Sequence, residues 1–272
     1  MLELVLQYNN RMNLLVKILV PLTLVSVSLF LPIFYAGDSA SDLLGATTFI
    51  YSVLAGFFIA EATSKYIQLR SFIADENTTL SSMFFIASRK SKSYGEEISD
   101  AIDRYMIAQL DYPFLGHIEG TTGEFSDLMD ISKRIGGLGS HRASLIKINQ
   151  EALLMSQKSV TKLHWTIIIT LALAMALLLL LKRDGTILVS IIVGVILFAI
   201  YQVLVLLADL DSNRYLARKL GFKTPQYVFR AIGKLSYYPE SVLSWLKPAR
   251  PYRVGIYKNY PKSFNKTIKV IK

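Results

Sequence analysis

The sequence predicts an all-α integral membrane protein in which four transmembrane helices form two hairpins. Three observations lead to this fold class. The 272-residue chain is 52% hydrophobic with a mean hydropathy of +0.39, which is high for a soluble domain of this size. Charged residues are absent from four separate windows. The long segment between the second and third windows shows no alternating strand pattern, so it is also predicted to be helical.

The four uncharged windows have the length that a membrane span requires. They cover residues 18–37, 43–60, 163–181 and 185–208. A helix rises about 1.5 Å per residue, so roughly 20 residues cross a hydrocarbon core about 30 Å thick. Buried helices of a soluble core, the alternative, would be shorter or interrupted by charges. The first window is longer than the apolar core of a cleaved signal peptide, so we expect it to be retained as a span.

The spans divide the chain into four parts. These are an amphipathic lead-in with the first hairpin, a helical cytoplasmic segment, the second hairpin and a basic tail, at residues 1–63, 64–162, 163–208 and 209–272. Spans are expected at about 18–37 and 43–62 in the first hairpin, and at about 163–181 and 185–208 in the second. Residues 64–162 and 209–272 contain none of the four spans, so the middle segment and the tail are expected to lie outside the bilayer.

The charges predict how the chain is oriented. The net charge is +10, and most of the 30 Lys and Arg residues lie in the middle segment and the tail. The first hairpin turn contains Asp38 and Asp42 and no base. The positive-inside rule therefore predicts a multi-pass protein of the cell (plasma) membrane with both termini cytoplasmic. Lys182 and Arg183 in the second turn oppose this orientation, but both can snorkel to the interface. The basic tail is expected to attract anionic lipid headgroups rather than nucleic acid.

Local signals predict several helix boundaries. The second span is expected to continue to about Ile73, followed by a turn at 75–79. Ser93 and Glu96 match a capping box that opens a further helix. A helix at 124–135 should stop at Gly136-Gly137, and a helix at 141–163 should run into the third span. The helix that follows Ser93 has an apolar face formed by Ile98, Ile102, Met106 and Leu110.

Enzymatic and cofactor chemistry is poorly supported. The chain has no cysteine, which excludes disulfides, thiolate nucleophiles and cysteine-ligated metals. Its three histidines, His117, His141 and His164, are far apart and lack paired acidic residues, so no metal site is expected. The glycines at 136–139 lack the lysine and the strand–turn–helix setting of a phosphate loop. The sequence therefore predicts neither an enzyme nor a cofactor.

The second and third spans differ in composition. The second, ATTFIYSVLAGFFIA at 46–60, mixes hydroxyl-bearing, small and aromatic residues, whereas TIIITLALAMALLLLL at 166–181 is almost entirely aliphatic. Helices that pack together or line a path contain small and polar residues, while a lipid-facing helix needs only apolar surface. The second span is therefore predicted to be the interior helix and the third to face lipid.

The second span also resembles the pore helix of a known family. The run SVLAGFFIA at 52–60, continuing as EATSKYIQLRSF to residue 72, is similar to the pore helix of bestrophin ion channels. Glu76, the ISDAIDRYM helix around Tyr105, and Tyr237-Tyr238-Pro239 resemble the prokaryotic bestrophin-like membrane domain. The resemblance implies a homopentameric ring with an axial pore lined by the second span, through which small inorganic ions pass.

The resemblance also implies the position of a hydrophobic neck. Aligning the family's glycine on Gly56 places the neck at Phe49, Val53 and Phe57. Residues four apart share one face of a helix, so five copies would form three stacked apolar rings that gate by dewetting. The alternative is that this stripe packs against another helix. Val53 stands where the family has an aromatic residue, which would widen the middle ring.

Several residues beside the neck complete the predicted site. Ser52, Gly56 and Ala60 are expected to contact neighbouring helices or lie beside the pore. Glu61 would form an acidic ring at the inner mouth, which favours cations, although Lys65 one turn later could cancel its field. The choice between anions and cations therefore stays open. The rival hypothesis is a non-conducting membrane scaffold or sensor whose cytoplasmic helices bind a protein or lipid partner.

Overall fold

The computed structural model describes residues 23–24, 26, 28–30, 39–111, 122–156, 161–182, 186–211, 224–243, 246–257 and 266–272. The chain divides into two compact units, and each is described by itself. One comprises Met1–Ser64 with Ser159–Ser212, and the other Lys65–Lys158 with Asn213–Lys272. We call the first the apolar unit and the second the polar unit.

The described residues are mostly helical. In chain order, the helices are α1 (Ser39–Lys90), α2 (Lys92–Asp111), α3 (Thr122–Arg134), α4 (Gly139–Ser156), α5 (Lys162–Leu181), α6 (Ile187–Asp211) and α7 (Pro225–Ala231). The strands are β1 (Tyr237–Pro239), β2 (Tyr252–Tyr257) and β3 (Lys266–Ile271), with a 3-10 turn at Glu240–Val242. Helix α1 is continuous and contributes its first part to the apolar unit and its second part to the polar unit.

Three helices, α1, α5 and α6, are long and apolar enough to cross a membrane. They cover the predicted second, third and fourth spans, so apolar helices of membrane length are confirmed at those places. Most of the predicted first span lies outside the described residues. Those of its residues that are described, between 23 and 30, are helical.

The core of the apolar unit lies between one face of α1 and the helices α5 and α6. Tyr51, Ala55, Phe58 and Ala62 of α1 are buried, and their spacing of three and four residues places them on a single helix face. They pack with residues of α5 and α6, namely Ile168, Ala172, Met175, Val193, Leu197, Ile200 and Leu207. Close contacts among these side chains hold the unit together by van der Waals packing. In a lipid bilayer, where helix association displaces no water, such packing is one of the main driving forces.

The polar unit has a separate core built on α2. The predicted apolar face of this helix is confirmed, since Ile98, Ile102, Met106 and Leu110 are all buried. The core also takes residues from the second part of α1, from α3, α4 and α7, and from β1, including Leu80, Met83, Leu128, Leu145, Phe229 and Tyr237. This unit therefore has a hydrophobic core of its own.

The predicted turn at 75–79 is wrong, because α1 continues to Lys90. The hydroxyls in this polar run do not cap a new helix. Thr78 Oγ1 donates to the Ala74 carbonyl at 2.9 Å and Thr79 Oγ1 to the Asp75 carbonyl at 2.7 Å. Side chains that bond to carbonyls one turn earlier are compatible with an uninterrupted helix. Burial of the apolar residues that follow, such as Leu80 and Met83, stabilises the continuation.

The predicted start of α2 is shifted. Helix α2 begins at Lys92, and the Ser91 hydroxyl accepts a hydrogen bond from the Ser93 backbone N–H at 3.2 Å. The predicted capping box at Ser93 and Glu96 is therefore wrong, because Ser93 already lies within the helix. Ser91 and Ser93 can each cap a helix N-terminus, so the sequence pattern alone does not decide which of them does so.

The predicted continuous helix at 141–163 is also wrong, because α4 and α5 are separate. Thr161 has the extended backbone of an N-cap (φ −70°, ψ 164°). Its hydroxyl accepts from the His164 backbone N–H and the His164 ring accepts from the Thr161 backbone N–H, each at 3.4 Å. This reciprocal pair forms a capping box that starts α5. The stop at Gly136-Gly137 is confirmed: α3 ends at Arg134, and Gly137 has a φ of +83°.

The tail departs from the all-α prediction. Strand β1 pairs parallel with β2, and β2 pairs antiparallel with β3, in the order β1-β2-β3. Each strand has six residues or fewer, which is too short for periodicity to distinguish a strand from an irregular segment. The contacts that fix β1 and β2 come from α2, as described below. The strands are therefore stabilised by tertiary contacts.

Candidate functional site

The predicted neck residues lie together on one exposed face of α1. Phe49, Val53 and Phe57 retain 70%, 55% and 63% of their accessible surface. The buried residues Tyr51 and Phe58 lie on the opposite face of the same helix. Large apolar side chains four residues apart therefore form a stripe that does not enter the core of this chain. The alternative prediction was that this stripe packs against another helix. The three side chains are exposed, so α5 and α6 are not that helix.

A ridge of small residues runs beside this stripe. Ser52, Gly56 and Ala60 are all exposed. A Cβ atom added at Gly56 would meet nothing within 4 Å. No contact made by the described residues of this chain therefore requires the glycine. Small residues of this kind allow a neighbouring backbone to approach closely, so the ridge suits contact with a helix outside this chain.

The two charged residues predicted at the inner mouth differ in burial. Glu61 is exposed and lies one turn after Phe57. Lys65 retains only 6% of its accessible surface and makes contacts of its own. In the predicted pair, Glu61 is therefore the exposed residue and Lys65 the buried one.

The exposed faces of α5 and α6 are aliphatic, in contrast to that of α1. Their exposed residues include Leu163, Leu173, Leu177, Ile187, Leu188 and Val195. Thr166 and Thr170 are exposed as well, and their hydroxyls bond to carbonyls one turn earlier at 3.0 and 2.8 Å. These faces suit lipid. In one apolar 18-residue stretch of each helix, 28% of the residues are buried in α6 and 17% in α1.

The start of α5 makes a polar contact with the end of α6 and an aromatic contact with α1. Trp165 Nε1 donates to Asp211 Oδ2 at 3.3 Å, and the His164 ring lies 5.0 Å from that of Phe58. The sequence did not predict these partners. The contacts fix the end of the apolar unit where a membrane interface is expected.

A partly buried carboxyl group lies in the polar unit. Tyr105 Oη donates to Glu76 Oε1 at 2.6 Å, and Gln109 Nε2 donates to the same oxygen at 2.7 Å. Gln109 Nε2 also lies 2.7 Å from Tyr105 Oη. Burial raises the pKa of Glu76, and the two hydrogen bonds partly oppose this rise. Glu76 and Tyr105 are among the residues on which the family resemblance rests, but their contact was not predicted.

The tail is anchored to α2 by directional polar contacts. Arg253 Nη1 and Nη2 donate to the two carboxylate oxygens of Asp103 at 2.7 and 2.6 Å, and the guanidinium lies 5.2 Å from the Phe229 ring centre. Tyr237 Oη donates to Asp111 Oδ1 at 2.7 Å. Sequence reasoning missed these pairs, because the partners are more than a hundred residues apart and no local pattern links them.

Chemistry beyond these contacts is limited in the part of the chain that the structure describes. No group of three His, Asp or Glu residues in it is arranged to hold a metal ion. The arrangement therefore consists of an exposed apolar stripe on one helix, an adjacent small-residue ridge, and a separate polar cluster. Comparisons of the chain with protein families, with curated proteins and with solved structures found no match.

Proposed function

We propose that this chain is a subunit of a bestrophin-like ion channel, a homopentamer in the cell membrane that passes small inorganic ions along an axial pore. Helix α1 would line the pore, with Phe49, Val53 and Phe57 as its neck. The observation that supports the proposal is the exposed stripe on α1, since three large apolar side chains project away from the core of their own chain.

A ring of subunits would give this stripe a role. Five copies of Phe49, Val53 and Phe57 would form three apolar rings about one helical turn apart. An apolar constriction of this kind excludes water and ions until it widens. The exposed Ser52, Gly56 and Ala60 would let adjacent α1 helices approach closely. An exposed apolar stripe also suits a lipid-facing helix, and the experiment below distinguishes the two environments.

Charge adds a second element to the proposal. The exposed Glu61 would place an acidic ring one turn from Phe57, which favours cation entry. The basic residues of the middle segment and the tail support a cytoplasmic location for both, with anionic lipid headgroups as partners. Reversal potentials measured in a salt gradient would determine which ion sign passes, and Glu61→Gln would report the contribution of the ring.

The test combines the mass of the assembly with ion flux. We expect native mass spectrometry of the detergent-purified protein to give a ring of identical subunits. In liposomes, Phe57→Ala should increase flux because it removes bulk from the innermost apolar ring. Leu173→Ala is the matched control: Leu173 on α5 is similarly exposed, at 66% against 63% for Phe57, but lies on an aliphatic face. Its flux should equal that of the wild type.

Three results would overturn the proposal. A monomer or dimer as the largest assembly would leave no axis for α1 to surround. An absence of flux under every ionic gradient, in both the wild type and Phe57→Ala, would favour the non-conducting scaffold or sensor. Equal changes in Phe57→Ala and Leu173→Ala would show that the stripe faces lipid, since both residues would then have the same environment.

A further inference from the structure

We infer that the Glu76 carboxyl is a proton-binding site of the polar unit, formed by α1 and α2 and independent of any ion pathway. The predicted membrane span of α1 ends near residue 62, about 14 residues before Glu76. At about 1.5 Å per residue, the carboxyl group lies about 21 Å further along the helix. The proton would therefore come from the aqueous phase that surrounds the polar unit.

The first argument is the hydrogen-bond geometry. Glu76 Oε1 accepts two bonds, from Tyr105 Oη at 2.6 Å and Gln109 Nε2 at 2.7 Å. Both donors are neutral groups. The Gln109 amide also lies 2.7 Å from Tyr105 Oη, so its two N–H groups can serve both oxygens. Since Tyr105 and Gln109 are four residues apart on α2, they meet Glu76 from a single helix face.

The second argument is the surroundings of the cluster. Tyr105 is 1% exposed and its ring lies 5.6 Å from that of Phe125 on α3. A carboxylate beside these groups has lost part of its hydration, and neutral donors replace it only in part. The bonds to Oε1 can persist in the protonated acid, because its carbonyl oxygen also accepts. Adding a proton therefore removes the buried charge without dismantling the cluster.

The third argument is that, among the described residues, no cation acts on this carboxyl. The side chains that act on it are Tyr105 and Gln109. The charged residues that flank the cluster on α1 and α2, Asp75 and Arg104, are exposed. On α3, the residues beside Phe125 include the acids Glu124 and Asp127, and neither is a cation.

In the tail, which also packs on α2, two ionisable groups have partners outside this cluster. Arg253 binds Asp103, and Tyr237 donates to Asp111. Burial raises the pKa of Tyr105 well above 10.0, so the phenol remains a neutral donor throughout the accessible pH range. The group that can change charge in this cluster is thus Glu76.

The sign of the effect follows from linkage. Burial raises the pKa of Glu76 above its ordinary value of 4.5, so the folded unit binds the proton more tightly than the unfolded chain. The resulting stability is fully present below about pH 4.5 and is lost as the pH rises through the raised pKa. Above that raised pKa, the ionised carboxyl weakens the contact between α1 and α2.

The experiment uses the full chain in detergent. The midpoint of thermal unfolding is measured for the wild type and Glu76→Gln between about pH 5 and about pH 8. The glutamine keeps an oxygen acceptor but cannot ionise. The midpoint of Glu76→Gln minus that of the wild type should therefore increase as the pH rises. Glu96→Gln is the matched control, because Glu96 on α2 is exposed and pairs with Lys92 at 3.9 Å. Its difference should not vary with pH.

Infrared spectroscopy gives a direct readout. A protonated buried carboxyl has a resolved C=O stretch, and the wild type should show one that disappears above the ordinary range of glutamate titration. The band should be missing in Glu76→Gln. If that variant fails to fold, Tyr105→Phe provides the test, since losing one donor should move the titration to higher pH. A midpoint difference independent of pH, a band that persists in Glu76→Gln, or an unchanged titration in Tyr105→Phe would overturn the inference. None of these measurements depends on ion flux.

Discussion

The apolar and polar units differ in what makes each of them specific. In the apolar unit, α1 meets α5 and α6 through Tyr51, Ala55, Phe58 and aliphatic partners. In the polar unit, α2 also contacts apolar neighbours, but paired groups fix it to the tail and to α1. These include the bidentate Arg253–Asp103 pair and the Glu76 cluster. Packing shape determines the first unit, and directional bonds add to packing in the second.

This difference has consequences for substitutions. Van der Waals packing is distributed over many atoms, so a single truncation in the apolar unit should have a moderate effect. A bond between buried polar groups is concentrated in two side chains, and removing one leaves its partner unsatisfied. We therefore expect the largest effects where the tail meets α2, and the smallest on the exposed stripe of α1.

The largest effect is expected for Gly255→Ala in β2. The new Cβ would lie 1.7 Å from Tyr237 Oη, and Tyr237 is fully buried and held by Gln226 and Asp111. Overpacking and loss of the Tyr237–Asp111 bond should together cost about 3–4 kcal/mol. Chemical denaturation would measure this free energy of unfolding. Gly123→Ala is the control, since its Cβ would meet nothing within 4 Å; an equal loss in both variants would contradict the prediction.

Arg253→Met should have the next largest effect. It keeps most of the apolar stem but leaves Asp103 partly buried without its two donors; both side chains in the pair are 14% exposed. We expect a loss of about 2–3 kcal/mol in the free energy of unfolding. Arg253→Lys should recover only part of it, because a lysine cannot form two parallel bonds with the carboxylate. Full recovery by lysine would show that charge alone, and not the bidentate geometry, stabilises the tail.

The smallest effect is expected on the exposed stripe, and two adjacent residues provide the comparison. Phe58 is 4% exposed and packs against α5, whereas Phe57 is largely exposed. Phe58→Ala should destabilise the apolar unit by about 1–2 kcal/mol through lost packing. Phe57→Ala should change the stability of the dissociated single chain by less than about 0.5 kcal/mol. Thermal unfolding of both variants in the same detergent measures the two losses of stability. A larger loss in Phe57→Ala than in Phe58→Ala would contradict the prediction.

Much of the helical framework was predictable from local sequence. The uncharged runs at 43–60, 163–181 and 185–208 predicted apolar helices, because their length and lack of charge are properties of the residues themselves. Gly136-Gly137 predicted the end of α3, since Gly137 adopts a positive φ that other residues avoid. The spacing of Phe49, Val53 and Phe57 predicted that they share one face of α1, but it did not predict that this face is exposed.

Other features required distant partners and were mispredicted or missed. The polar run at 75–79 has the composition of a turn, yet burial of Leu80 and Met83 extends α1 through it. The strand β2 contains no decisive local pattern, and Arg253 joins it to Asp103 on α2. The Glu76 cluster arises only where α1 and α2 meet, because Glu76 and Tyr105 are separated by 29 residues of chain.

The sequence by itself determined where the chain is apolar, where helices of membrane length form and which α1 residues share a face. These depend on composition and on the helical period, both of which are local. The tertiary structure decided where α1 ends, that the tail forms strands, and that Glu76 is buried among neutral donors. Those outcomes depend on contacts between residues distant in sequence, whose energies can override the local preference of a polar run or a short segment.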